Sequence, residues 1–160
     1  MNCPLCETPG GTLLWQDALC RVVLADEPDY PGFLRVILNT HVKEMTDLPA
    51  NDQQALMRVV FAAEAAMREV LAPDKINLAS LGNVVPHLHW HVIPRFGDDP
   101  HFPNPVWGEK LRDTPHAAPS DLIEALTAAL HSPGAGRVCK DAKASTTTLT
   151  RRLARARETG

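Results

Sequence analysis

The chain has 160 residues, a length that favours one domain with a substantial buried core. It is 44% hydrophobic and 22% charged, which is typical of a globular protein rather than a disordered or fibrous one. The net charge of −3 divides unevenly, because residues 1–136 contain nine Lys and Arg against seventeen Asp and Glu, whereas residues 137–160 contain seven against two. The acidic main body argues against nucleic-acid binding, which requires a basic face.

The sequence also disfavours a membrane or secreted location. No apolar run approaches the roughly 18 residues that a membrane helix requires, and Met1-Asn2-Cys3-Pro4 lacks the order of basic and apolar residues of a secretion signal. We therefore expect a cytoplasmic protein with no membrane partner. In that compartment the cysteines should be free thiols or metal ligands rather than disulfides. The four are Cys3, Cys6, Cys20 and Cys139.

Short strand patterns occupy the N-terminal part of the chain. Apolar runs rich in branched side chains predict strands at residues 13–15, 21–25 and 33–38. Turn signals separate them, with Pro9-Gly10-Gly11 before the first strand and a segment rich in Pro and Gly at 28–32 before the third.

The pattern changes to a helical period between residues 51 and 71. Apolar residues recur there at steps of three and four and so share one face of a helix. They are Leu56, Val59, Val60, Ala63, Met67, Val70 and Leu71. Asn51 or Asp47 is expected to cap the N-terminus of this helix, and Ala72-Pro73 should end it.

Two further strands and a short helix complete the predicted elements. Residues 76–81 and 88–93 have strand patterns, and residues 121–130 predict a short helix capped by Ser120 or Asp121. An order of strands, long helix and strands favours an α+β fold with an antiparallel sheet over a doubly wound parallel sheet.

Residues from Ser132 onward show no apolar periodicity, which predicts a basic, flexible tail. We therefore divide the chain into three parts. These are a main domain at 1–108, an extension with a short helix at 109–131 and the tail at 132–160.

His87, His89 and His91 alternate along the last predicted strand. Side chains at steps of two share one face of a strand, so the three imidazoles should project together while the apolar residues between them face the core. Crowded imidazoles repel one another when charged, which should lower their pKa values and leave at least one neutral nucleophile near pH 7. Such a nucleophile is suited to attack on phosphorus. The alternatives are a catalytic metal site, since histidines two apart on a strand are good zinc ligands, and surface histidines without a role.

The segment His87-Leu88-His89-Trp90-His91-Val92-Ile93 resembles, at every position, the His-apolar-His-apolar-His-apolar-apolar motif of the histidine triad (HIT) superfamily. The resemblance extends over residues 3–107. It implies a HIT fold, in which a five-stranded antiparallel sheet is accompanied by one long and one short helix. It also implies a homodimer that binds a purine nucleotide or a nucleotide conjugate.

The resemblance implies a role for each histidine of the motif. His89 corresponds to the nucleophile that attacks the α-phosphorus and forms a nucleotidyl-histidine intermediate, which water then hydrolyses. His91 corresponds to the residue that contacts phosphate oxygens or assists the leaving group, and His87 to the residue that orients the nucleophile. No cofactor is required for this chemistry.

Residues outside the motif correspond to nucleotide contacts. Asp26 matches a position that binds the ribose hydroxyls, and Asn77 a position close to the phosphate and the nucleophile. One branch of the family has Gly-Gln-Ser-Val before the triad, where the serine hydroxyl holds the phosphate, but this chain has Gly82-Asn83-Val84-Val85-Pro86. Asn83 can replace the glutamine amide as a donor, or it is simply a turn residue after a glycine. Val84 cannot replace the serine, which weakens the case for a phosphoramidase.

Cys3 and Cys6 have the spacing of a zinc knuckle, but a complete zinc site needs four ligands. Several bacterial HIT proteins that this chain resembles have such a pair, completed by a histidine at the end of the preceding strand and by a histidine close to the triad. His41 and His87 correspond to these two ligands. The implied zinc is structural and attaches the N-terminus to the sheet. The alternative is a pair of reduced cysteines at a frayed chain end.

Two classes of function therefore fit the sequence. One is a nucleotide hydrolase or transferase that acts on nucleoside phosphoramidates, adenylylated amines or dinucleoside polyphosphates. The other is a nucleotide-binding interaction module with vestigial catalysis. The intact triad favours the enzyme, because a binding module does not need a neutral nucleophile. Trp107 lies where HIT chains have a segment that closes over the site or lies across the dimer, so it is expected either to anchor that segment or to stack on a base.

Overall fold

The computed structural model describes residues 2–113 and 116–132. Its strands are β1 (Thr12–Gln16), β2 (Cys20–Leu24), β3 (Leu34–Leu38), β4 (Lys75–Ala79) and β5 (His89–Arg95). Its helices are α1 (Pro4–Glu7), α2 (Ala50–Leu71) and α3 (Leu122–His131), and a short 3₁₀ turn covers Met45–Asp47. Within those two described ranges, no helix is long and apolar enough to cross a bilayer.

The strands pair antiparallel in the order β1-β2-β3-β5-β4. The triad strand β5 therefore lies inside the sheet, between β3 and β4. In its register with β3, His89 is opposite Ile37 and His91 is opposite Arg35. The expected α+β fold with a five-stranded antiparallel sheet is confirmed.

One face of the sheet packs against α2 and α3 and forms the main core. Leu88, Trp90 and Val92 face this core, as their alternation with the histidines predicts. The segment that we assigned to an extension at 109–131 includes α3, which belongs to the same core. Its buried residues are Leu122, Leu126, Ala129 and Leu130.

The N-terminal segment lies on the opposite face, which is the face that bears the histidines. Cys3 and Leu5 pack there against Val23 and Ile37. The side chain of Arg21 is buried below this segment, where Nη2 donates to the Leu5 carbonyl (2.6 Å) and Nε to the Pro9 carbonyl (2.9 Å). Because a buried guanidinium requires acceptors, Arg21 holds the N-terminal segment on the sheet.

Two details of the helix and strand ends differ from the sequence predictions. Neither Asn51 nor Asp47 caps α2, because the helix begins at Ala50 with Pro49 in the N-cap position. Strand β5 also continues through Pro94. At this residue β5 pairs with β4 but no longer with β3, so the missing N–H of proline removes no hydrogen bond from the pairing of β5 with β3. The predicted tail lies outside the described residues, except for Ser132.

Candidate active site and cysteine–histidine cluster

Strand β5 places His89 and His91 in the wall of a cavity of about 440 Å³, which we call the histidine cavity. Arg35 from β3 borders it, and the lead-in to the triad forms its opposite wall. The full lining is Leu5, Arg35, Leu81, Gly82, Asn83, Val84, Val85, His89, His91 and Trp107. Gly82 adopts φ +64°, a left-handed conformation that favours glycine, at the turn that directs this lead-in along the cavity.

His89 is held in one orientation by the backbone. Its Nδ1 lies 2.6 Å from the carbonyl oxygen of His87, which can only accept, so Nδ1 donates. In neutral imidazole, a proton on Nδ1 leaves a lone pair on Nε2. The hydrogen bond therefore makes Nε2 the nucleophilic atom of a ring that is only 8% exposed.

His91 is a neutral group at pH 7. Its ring contacts those of Phe33, His89 and Trp107 edge-on, with centroid separations of 5.5, 4.8 and 5.2 Å. Burial lowers the pKa of His91 to about 4, and the nearby His89 and Arg35 add to this effect. Its buried Nδ1 has no hydrogen-bond partner within the described part of the chain.

His87 differs from the other two histidines because its ring does not line the cavity. The ring is fully buried, and Nε2 donates to the Leu38 carbonyl at 2.7 Å. Its Nδ1 then has the free lone pair and faces Sγ of Cys3 (3.4 Å) and Sγ of Cys6 (3.5 Å). Burial is the main reason why the pKa of His87 is lowered, so repulsion among the histidines, the cause that we expected, is the smaller effect.

Cys3, Cys6, His41 and His87 form a cysteine–histidine cluster, in which one ligand atom from each residue lies within 4.8 Å of the other three. Nδ1 of His41 is 3.4 Å from Sγ of Cys6. Zinc bonds of about 2.3 Å to sulfur and 2.0–2.1 Å to nitrogen, in tetrahedral geometry, place these atoms about 3.6 Å apart. The three separations of 3.4, 3.4 and 3.5 Å fit a tetrahedral Cys₂His₂ site, and the Leu38 carbonyl fixes the His87 tautomer that such a site requires.

The three residues that we expect to contact the nucleotide lie in three different places in the structure. Asn83 is exposed and lines the histidine cavity. Asn77 lies on the same face of the sheet, but its Oδ1 accepts a hydrogen bond from Nη1 of Arg95 (2.7 Å), and it lines an adjoining cavity of about 520 Å³ beyond Trp107. Asp26 is exposed in the loop after β2 and is not part of either lining. The nucleotide-binding roles of these residues remain predictions.

The sequence analysis did not identify Asp99, a buried residue that holds the segment after β5 in place. We call Asp99 and its hydrogen-bond partners the Asp99 hub. The Asp99 carboxylate accepts hydrogen bonds from Nε of Arg95 (2.7 Å), from the hydroxyl of Tyr30 (3.2 Å) and from backbone N–H groups of the segment that it holds. Burial alone would raise the pKa of Asp99, but the bonds to Arg95 and to the backbone outweigh it and hold the pKa at about 2. Arg95 also donates to the Asn104 carbonyl, so this hub supports the segment that carries Trp107 to the cavity.

Arg35 was also missed. The signal in the sequence is a single arginine within the otherwise apolar run of β3. A charge at such a position predicts that the side chain leaves the core face, and here it reaches the histidine cavity.

Comparisons with known proteins agree with this geometry. A family model for the HIT domain matches residues 10–98. An AP-4-A phosphorylase from Mycobacterium tuberculosis is 31% identical across 65% of this chain, which spans about three fifths (59%) of that relative's length.

Solved structures show the same fold. A histidine triad protein from Bradyrhizobium japonicum is 31% identical, with a TM-score of 0.64 across 74% of this chain and 89% of its own. A zinc-bound histidine triad family protein from Mycobacterium smegmatis has a TM-score of 0.56 across 81% of this chain and 94% of its own. At 24% identity, that second likeness concerns the fold alone.

Proposed function

This chain belongs to the HIT family, and on that premise we propose that it is a nucleotide hydrolase or transferase that acts at an α-phosphorus through His89. The observation that carries the proposal is the hydrogen bond from Nδ1 of His89 to the His87 carbonyl. In the neutral ring it leaves the lone pair on Nε2, in a cavity of a size that suits a small molecule.

The proposed reaction has two displacements at phosphorus. In the first, the Nε2 lone pair forms a bond to the α-phosphorus, and the bond to the leaving group breaks with its electron pair on that group. In the second, an oxygen of water or of a phosphate acceptor attacks the phosphorus, the P–N bond breaks, and the lone pair returns to Nε2. The acceptor's proton passes to solvent. This sequence replaces one difficult displacement with two easier ones.

His91 and His87 support His89 in different ways. His91 is neutral and flanks the nucleophile, so we propose that it contacts the phosphate oxygens or the leaving group. His87 orients the nucleophile through its carbonyl rather than through its imidazole.

We further propose that the cysteine–histidine cluster holds a structural zinc ion. Cys3, Cys6, His41 and His87 supply the donor set and the separations that tetrahedral zinc requires. When bound there, the ion would link the N-terminal segment to the sheet and would take no part in the reaction. All four residues of the cluster would serve as ligands, whereas catalytic zinc sites keep one position open.

The substrate proposal includes the classes that the sequence suggested. These are dinucleoside polyphosphates, nucleoside phosphoramidates and adenylylated amines, and the similarity to an AP-4-A phosphorylase supports the first. Homodimerisation, a purine base and a cytoplasmic location remain predictions.

The experiment is turnover of diadenosine tetraphosphate and adenosine 5′-phosphoramidate by wild type and His89→Ala. We expect His89→Ala to lower turnover by at least about a thousandfold while nucleotide binding persists, because a nucleophile stabilises the transition state far more than the ground state. His131→Ala is the matched control, since His131 lies exposed at the end of α3.

The outcome of this experiment distinguishes the covalent enzyme from the nucleotide-binding interaction module. More than about a tenth of wild-type turnover in His89→Ala would contradict the covalent mechanism. A wild-type chain that binds both nucleotides but turns over neither would instead be the interaction module.

A further inference from the structure

Arg35 borders the histidine cavity, but groups outside the lining of that cavity hold its guanidinium. Nη2 donates to Oε1 of Glu27 (2.8 Å), and Nη1 donates to the Gly10 carbonyl (3.3 Å). In the sheet, Arg35 is opposite His91 on β5 and opposite Val23 on β2. It therefore lies between the triad strand and the strand that leads into the loop of Glu27.

Asp26 occupies the middle of a tight turn whose two ends are both held in place. The N–H of Glu27 donates to the Ala25 carbonyl across Asp26 (3.1 Å), which is the hydrogen bond of a γ-turn. The N–H of Ala25 donates to the Phe33 carbonyl (2.9 Å) and ties the start of the turn to the residue before β3. Arg35 ties the end of the turn through the side chain of Glu27. The backbone that carries the Asp26 carboxylate is therefore held on both sides.

The Asp26 carboxylate has the chemistry that ribose recognition requires. An ionised carboxylate only accepts hydrogen bonds, whereas the 2′ and 3′ hydroxyls of a ribose are neighbouring donors. Acidic side chains bind the ribose 2′-hydroxyl in dinucleotide-binding folds. Asp26 is exposed, and within the described residues its carboxylate makes no hydrogen bond or ion pair. It is therefore free to accept hydrogen bonds from a ligand.

We expect the ion pair of Arg35 with Glu27 to affect the position of this turn more than the stability of the fold. The two side chains are 26% and 39% exposed, so solvent screens their attraction and the pair adds little to stability. The guanidinium is nevertheless fixed at two points, Glu27 and the Gly10 carbonyl, and so determines where Glu27 lies. Because Asp26 is the adjacent residue, release of Glu27 would let the Asp26 carboxylate move as well.

We infer that Arg35, acting through Glu27, positions Asp26 to bind the ribose hydroxyls, and that the chain thereby selects ribonucleotides over nucleotides that lack these hydroxyls. The inference rests on the proposed function, in which the α-phosphorus lies at His89, and narrows its substrate class to conjugates with an intact ribose. Asp26 lies outside the lining of the histidine cavity, so the nucleoside extends past Arg35 to reach it. Arg35 is thus a positioning residue, and Asp26 is the residue that touches the ligand.

The test compares the affinities of two nucleotides that differ only in the ribose hydroxyls. Dissociation constants for AMP and 2′,3′-dideoxy-AMP are measured by calorimetry with wild type, Asp26→Asn, Arg35→Gln, Arg35→Lys, Glu27→Gln and the double variant of Arg35→Gln with Glu27→Gln. Lys110→Gln is the matched control, because Lys110 forms an ion pair of similar exposure with Asp29 of the same loop (3.3 Å; 40% and 39% exposed). A melting temperature for each variant checks the fold.

We expect wild type to bind AMP about 30-fold more tightly than 2′,3′-dideoxy-AMP, because the hydroxyls donate to a charged group. Asp26→Asn should reduce this ratio of affinities to less than about threefold. Arg35→Gln and Glu27→Gln should each lower the ratio about fivefold, and the double variant should lower it no further, because both changes break the same ion pair. Arg35→Lys should recover part of the ratio, since its charge remains without the planar fork. Lys110→Gln should keep the wild-type ratio.

An unchanged ratio of affinities in Arg35→Gln, Glu27→Gln or Asp26→Asn would overturn the inference, as would the absence of measurable AMP binding by wild type. If Arg35→Gln weakened the binding of both nucleotides equally, Arg35 would contact a part of the nucleotide that they share. Binding also separates this inference from the proposed function. The expected ratios in a chain that turns over neither diadenosine tetraphosphate nor adenosine 5′-phosphoramidate would contradict the proposed function alone, whereas turnover by wild type with unchanged ratios in the variants would contradict this inference alone.

Discussion

The carbonyl oxygen of His87 accepts a hydrogen bond from Nδ1 of His89, while the imidazole of His87 faces Cys3 and Cys6. His87 thus belongs to the cysteine–histidine cluster through its ring and to the active site through its backbone. The backbone at this point is also held by β-type hydrogen bonds, since the N–H of Leu88 donates to the Val42 carbonyl at 2.7 Å. The orientation of His89 therefore does not depend on the cluster alone.

The cysteine–histidine cluster leads to a prediction about metal content. Purified protein should contain about one zinc per chain, and Cys3→Ser with Cys6→Ser should abolish it and lower the melting temperature by about 10 °C. Turnover by the folded variant at 25 °C should remain within about threefold of wild type, because the sheet still positions His89. Metal analysis, thermal unfolding and steady-state kinetics measure the three effects.

Two results would contradict this account of the cluster. Purified protein that contains no metal, and whose melting temperature does not change in the cysteine variants, would show that Cys3 and Cys6 are ordinary thiols. Loss of turnover on chelation, in protein that remains folded, would make the metal catalytic. His41→Ala removes the proposed ligand that lies outside the N-terminal segment and should behave as the cysteine variants do.

The Asp99 hub predicts a contribution to stability that depends on pH. The pKa of Asp99 is about 2 in the folded chain and 3.8 without its partners. A lowered pKa stabilises the folded state above the unfolded pKa, and this contribution is lost as the pH falls from 3.8 to about 2. The free energy of unfolding of wild type should therefore fall about 2 kcal/mol more than that of Asp99→Asn over this interval.

Urea unfolding at several pH values measures the effect of Asp99. The exposed neighbour Asp98 provides the control, because Asp98→Asn should retain the wild-type pH dependence. If the free energy of unfolding changed with pH by the same amount in wild type and in Asp99→Asn, Asp99 would not supply this stabilisation.

The packing of α3 predicts that it is required for the stability of the main domain. Leu126 is fully buried in the core that α3 shares with α2, so Leu126→Ala should lower the free energy of unfolding by about 3 kcal/mol. Ile123 is exposed on the same helix, and Ile123→Ala should change it by less than about 0.5 kcal/mol. If Leu126→Ala and Ile123→Ala had equally small effects on the free energy of unfolding in urea, α3 would belong to a separate extension at 109–131, as the sequence suggested.

Local patterns in the sequence were sufficient to predict the sheet and the triad strand. A period of two places His89 and His91 on one face and Val92 on the other, because alternation is a property of the strand itself. The resemblance to HIT proteins supplied His41 and His87 as partners of the cysteine pair, and the structure brings all four together.

The features that the sequence did not predict depend on contacts between distant residues. Tyr30 meets Asp99 across 69 positions of the chain, so no local pattern identifies the hub. The place of Arg35 in the cavity wall depends on the register between β3 and β5, which sets it opposite His91. The start of α2 was misplaced because Pro49 replaces the polar cap residue on which the prediction relied.

The central claim is that His89 becomes covalently bonded to the nucleotide. The most direct measurement mixes the enzyme with diadenosine tetraphosphate, stops the reaction in alkaline denaturant within milliseconds, and determines the mass of the intact chain and of its peptides. We predict one adenylyl group on His89 of wild type, lost as turnover is completed, and none on His89→Ala. Turnover without any adenylylated chain, or an adenylyl group on another residue that persists in His89→Ala, would contradict the account.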